Sequence, residues 1–82
     1  MVSRKPKRAE VDYNEVAKNV LRAELRRRGL TYAELTALLN EATGETTAEK
    51  IISNKVQRGT FSAAFLMQCL DVIGAKAIQI AD

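Results

Sequence analysis

The sequence predicts an all-α domain of four helices, three of them short. Three observations predict it. Apolar residues recur at spacings of three and four along four successive segments, and helix-opening patterns precede the second, third and fourth of these. The four glycines also stand singly, each where an apolar stripe ends. A chain of 82 residues holds one core, and its 46% apolar and 28% charged residues suit a globular chain.

Residues 1–9, MVSRKPKRA, are polar and basic and contain the one proline, Pro6, so they are expected to form a flexible arm. A first helix is expected over 10–28, with Val16, Ala17, Val20, Leu21 and Leu25 on one side and Glu24–Arg28 in the favourable i,i+4 order. Arg26, Arg27 and Arg28 crowd its last turn before Gly29. They suit the negative end of a helix dipole, and a phosphate-binding role is the competing reading.

Leu30-Thr31-Tyr32-Ala33-Glu34-Leu35 carries a complete helix start. Thr31 and Glu34 are spaced as a capping box, and Leu30 can staple onto Leu35. Leu38, Leu39 and Ala42 continue that stripe toward Gly44. Thr46 and Glu49 form a second candidate capping box, opening a third helix whose apolar side is expected to hold Ala48, Ile51, Ile52 and Val56. Lys55 projects near that apolar sector, so its stem is expected to cross the core edge with the ammonium in water. Ser62 then caps a fourth helix, Phe61 can staple onto Leu66, and Leu66, Cys69, Leu70 and Ile73 make its stripe before Gly74. The helical domain is thus expected over 10–75. Residues 76–82 form an apolar tail in which Ile78 and Ile80 alternate with polar neighbours, a short extended segment against the core or a partner.

The composition is spare in chemistry. There is no histidine and one cysteine, so a His/Cys zinc site and a Cys–His nucleophile pair are excluded, and Cys69 reads as a small core residue. Single glycines make no phosphate-cradling loop. No enzyme activity, metal or cofactor is expected. No apolar run reaches the roughly 20 residues of a membrane span, and MVSRKPKRAE lacks the apolar centre of a secretory signal. A cytoplasmic, membrane-free protein is expected.

The net charge of +3 is unevenly placed. Arg4, Lys5, Lys7 and Arg8 put +4 on the first eight residues, while the rest, with nine Lys/Arg against ten Asp/Glu, sums to −1. The arm therefore suits either a polyanionic partner or a merely solubilising end. The third helix presents Lys50, Ser53, Asn54 and Gln57 opposite its apolar side, a face that is either solvated or built to touch bases and phosphates.

Two short helices joined by a turn, with a scaffold helix before and a packing helix after, follow the plan of a helix-turn-helix domain. At LRAELRRRGLTYAELTALL and IISNKVQRGTFSAAFLMQCLDVIGA the chain resembles the lambda-repressor-like (Cro-type) DNA-binding family, with Gly29-Leu30-Thr31, Leu35, Ile52, Leu66, Ile73 and Gly74 at matching places. Lys55 to Phe65 is also similar to the KxxRGTFSAxF wording of a bacterial domain family of unknown function. The chain departs from the Cro-type pattern at Asn40–Thr47, several residues longer than usual. This length either extends the second helix or loosens the angle of the third. Gly59 also falls later, lengthening the third helix by about one residue.

The resemblance implies a four-helix lambda-repressor-like domain that places its third helix in the major groove of double-stranded DNA. Asn54 and Gln57 would then read adenine bidentately, with Thr47, Lys50 and Ser53 as further base contacts. Arg58, Thr60 and Ser62, around a helix N-terminus, would hold phosphates, and Arg4, Lys5, Lys7 and Arg8 would follow the backbone or enter the minor groove. The implied protein is a transcriptional regulator, expected as a homodimer with Ile78 and Ile80 as candidate dimer contacts. The competing reading is a protein-interaction module of the same fold without nucleic-acid binding, favoured by the −1 outside the arm. RNA binding ranks third, for want of exposed aromatics for stacking.

Overall fold

The computed structural model describes residues 11–79. They form four α-helices, α1 (Tyr13–Arg27), α2 (Tyr32–Thr43), α3 (Glu49–Arg58) and α4 (Ala63–Val72), with no strand among the described residues. The all-α prediction therefore holds, and the boundaries shift for local reasons. α1 starts later than expected because Asp12 caps it, its carboxylate accepting from the Asn14 and Glu15 N–H groups at 3.0 and 3.4 Å.

The box at α2 is complete. Glu34 N–H donates to Thr31 Oγ1 at 3.1 Å, and Thr31 N–H donates to Glu34 Oε1 at 2.8 Å. α2 runs on to Thr43 and ends at Gly44, so most of the long segment after Asn40 is absorbed as helix or short connector. The second box does not form. Ala48 is the N-cap of α3, with no side-chain cap bond. The connector is instead tied to α2, where the Asn40 carboxamide donates to the Thr47 carbonyl at 2.9 Å and accepts from the Thr47 N–H at 3.0 Å, outside the helix. With this two-bond clamp holding Thr47 outside the helix, α3 starts past Thr46. Ser62 caps α4 as expected, accepting from Phe65 N–H at 3.0 Å.

One core cluster joins Leu21 and Leu25 of α1, Leu35 and Leu39 of α2, Ile52 and Val56 of α3, and Cys69, Leu70 and Ile73 at α4. The expected staple residues Leu30, Phe61 and Leu66 pack against it. α1 and α2 each lie against both α3 and α4. Three assignments to the apolar sides need correcting: Ala42, Ala48 and Ile51 are exposed. For α3, docking against α1 and α2 turns Ile52 and Val56 inward and leaves Ile51 out. Lys55 also differs from expectation. Its ammonium does not simply point to water but sits 4.6 Å from the centre of the Phe65 ring, linking α3 to α4.

Two further features fix the frame. Gly59 ends α3 at φ +70°, and a Cβ there would overlap the Asn14 carbonyl, so the end of α3 lies directly on the start of α1. Glu24 is only 2% exposed and pairs with both Arg27 and Arg28. Burial opposes its ionisation, but the two guanidiniums outweigh that and hold its carboxyl below the ordinary value. Cys69 is fully buried, and burial pushes its thiol up to about 12 against a smaller opposing pull from Lys55. No helix among the described residues is long and apolar enough to cross a membrane.

Candidate nucleic-acid interface

α3 is anchored from within and open from without. Ile52 and Val56 hold its inner side in the core, the Asn40 clamp holds its beginning, and Gly59 seats its end on α1. A helix fixed at three places keeps the geometry of its outer side, which is what recognition of a rigid partner requires.

At about 100° per residue, the outer side of α3 carries Lys50, Ile51, Asn54, Gln57 and Arg58, and Thr47 lies in the connector just before the helix. All are exposed except Thr47, which is half-buried. Among the described residues, the side chains of Lys50, Asn54, Gln57 and Arg58 make no hydrogen bond or ion pair, so their donors and acceptors face outward unclaimed. α3 itself carries Lys50, Lys55 and Arg58 against Glu49, a local excess of positive charge that the total conceals.

Not every expected contact is placed alike. Ser53 is half-buried on the shoulder of α3, and its hydroxyl donates back to the Lys50 carbonyl at 3.3 Å, away from the outer row. Thr47 has its backbone N–H and C=O taken by Asn40, leaving only its side chain for an outside partner. Arg58, the last residue of α3, and Thr60, in the turn before α4, are both exposed. Ser62 already accepts the Phe65 N–H, so its hydroxyl is left to donate. Ile78 is 36% exposed, in a stretch over 76–79 that carries neither helix nor strand pairing. Arg4, Lys5, Lys7, Arg8 and Ile80 lie outside the described residues.

Sequence reasoning passed over Arg22 and Asn40, and weighed Arg26 only within the Arg26–Arg28 triplet. Arg22 and Arg26 line a groove of about 360 Å³ together with Leu30, Tyr32 and Glu49, the first residue of α3. Glu24 engages Arg27 and Arg28, so of the arginines in α1 only Arg22 and Arg26 stand outside that cluster, one above the other beside α3. The signal was present, since Glu24 lies three and four residues before Arg27 and Arg28, while Arg22 and Arg26 share a different i,i+4 row. Asn40 left no comparable trace, because its partner lies across a turn.

Among the described residues no group of three or more His, Cys, Asp or Glu side chains is placed to hold a metal ion. No curated protein and no solved structure matches the chain. One family model does match, over residues 13–78 and so over all four helices and the RGTFS turn, and the chain belongs to that family, a domain of unknown function (DUF6471).

Proposed function

We propose that the protein is a double-stranded DNA-binding module, a transcriptional regulator that reads the major groove with the outer side of α3. One observation carries this reading: a rigidly seated helix presents Lys50, Asn54, Gln57 and Arg58 together, exposed and unpartnered among the described residues. Carboxamides pair bidentately with adenine, and cations serve guanine or phosphate, so this set suits base edges and the backbone beside them. The arrangement of α2, connector and α3, supported by α1 and α4, is consistent with a lambda-repressor-like helix-turn-helix. In that reading Arg22 and Arg26 join Arg58, Thr60 and Ser62 as phosphate contacts, and the basic arm adds Arg4, Lys5, Lys7 and Arg8. A homodimer would span two half-sites, with Ile78 and Ile80 as candidate contacts.

The second reading is a protein-docking module of the same fold. It is favoured by the exposed Ile51 and Met67, at 56% and 59%, and by the −1 outside the first eight residues.

Selection from random duplex DNA at two salt concentrations separates the two. Deleting residues 1–8 is expected to weaken all duplexes alike and flatten the salt slope by up to about 0.9 per lost phosphate contact. Asn54→Ala or Gln57→Ala is expected to cost about 1–3 kcal/mol on the selected site and little on unrelated DNA. Circular dichroism on each variant guards against lost structure. If no duplex is enriched, or the α3 variants leave site preference unchanged, the protein-docking reading replaces this one.

A further inference from the structure

We infer that Ile51 is a specificity-determining residue that reads the 5-methyl group of a thymine. This rests on the DNA-reading proposal and adds to it an apolar contact that the polar residues of α3 cannot make.

The periodicity of α3 admits Ile51 to the core side, yet the structure leaves it 56% exposed while its neighbour Ile52 is 6% exposed. Its place is not random. Ile51, Asn54 and Arg58 follow one another at intervals of three and four, which on an α-helix is one row along the outer side. Ile51 is the one large apolar side chain in that row, set between groups that hydrogen-bond. Asn54 lies about 4.5 Å further along the helix axis, at 1.5 Å per residue. That is close to the roughly 3.4 Å between successive bases of a strand.

The chemistry of the major groove matches this alternation. Its base edges offer hydrogen-bond donors and acceptors and one apolar group, the thymine methyl. A carboxamide on adenine and an aliphatic side chain one step away would together recognise an A/T-containing step. Ile is also β-branched, so in a helix its χ1 is nearly fixed and its methyl groups are held in place before binding. Its helix carries Lys50, Lys55 and Arg58 against Glu49, and Glu45 is the one acid in the cleft beside it, a net positive charge that favours a polyanion over the apolar patch of a protein. Ile51 also borders a cleft with Leu39, Thr43, Lys55, Phe65 and Gln68, where a partner's side chain would be the alternative occupant.

The test uses the full chain and the duplex it selects. Each thymine in the selected site is replaced in turn by deoxyuridine, which removes only the methyl group, and affinities are measured for the parent, Ile51→Ala and Ile51→Thr. The expected result is a loss of about fourfold at one thymine, or at its symmetry mate, for the parent. Ile51→Ala should be insensitive at that position and match the parent's response at every other thymine. Unchanged helicity and urea midpoints for both variants accompany this outcome. The inference is overturned if parent and variants respond alike at every thymine, or if the selected site contains none. In either case sensitivity to Asn54→Ala would keep the DNA reading intact. If no duplex is selected at all, the DNA reading falls and the inference with it, leaving the cleft beside Ile51 as a protein-docking surface.

Discussion

The inner and outer sides of α3 differ by a single residue of register. Ile52 faces α1 and α2 and is 6% exposed; Ile51, one position earlier, is 56% exposed beside Asn54. The two side chains are identical and sit on the same ten-residue helix, so intrinsic hydrophobicity or helix propensity cannot separate them. What separates them is where the rest of the molecule meets the helix. The inner side trades solvent for core contacts and tolerates little change, whereas the outer side contributes little to folding and is free to carry recognition.

The largest expected contrast is between those two isoleucines. Ile52→Ala should destabilise by about 2–5 kcal/mol, as the loss of a buried aliphatic side chain does. Equal urea midpoints for Ile52→Ala and Ile51→Ala would break the distinction between the two sides.

Next comes the seat of α3 on α1. An alanine in the left-handed region costs about 1–2 kcal/mol by itself, and at Gly59 its Cβ would also meet the Asn14 carbonyl. Gly59→Ala should therefore exceed Gly44→Ala, where a Cβ would meet nothing within 4 Å. Thermal unfolding of the two variants gives the comparison directly, and equal losses would mean that α3 is not pressed against α1.

The clamp at the other end should matter less. Asn40→Ala removes both bonds to Thr47, each worth about 0.5–1.5 kcal/mol, so a loss of about 1–3 kcal/mol is expected in denaturant titration. Hydrogen exchange at the Thr47 amide should rise at the same time, because that N–H loses its acceptor. Unchanged protection there would show that the connector is held by something other than Asn40.

The smallest expected effect is on the outer side itself. Ile51→Ala should change stability by no more than about 0.5 kcal/mol, like other exposed substitutions outside special contacts. A larger loss would place Ile51 in the folding core and remove it from the proposed recognition surface.

The sequence by itself determined the helices and most of their ends. The Thr31–Glu34 box, the Ser62 cap and the glycines at the ends of helices are agreements between neighbours a few residues apart, and such local chemistry needs no tertiary partner. The burial of Leu35, Leu39, Cys69 and Leu70 was legible for the same reason, since each lies at the centre of an apolar stripe. The Glu24–Arg28 pair was legible too, and the structure adds Arg27 to it.

Tertiary structure decided the rest. In α3 the stripe is broad enough to include both Ile51 and Ile52, and only docking against α1 and α2 chose between them. The Thr46–Glu49 spacing met the rule for a capping box, but α3 starts at Glu49 behind Ala48, with the Thr47 backbone bonded to Asn40 across the turn. Likewise the groove that joins Arg22 and Arg26 to Glu49 exists only because α1 and α3 pack together. Local hydrogen bonds are written within one turn of helix, whereas the register of a face and the company of a side chain depend on residues far apart in the chain.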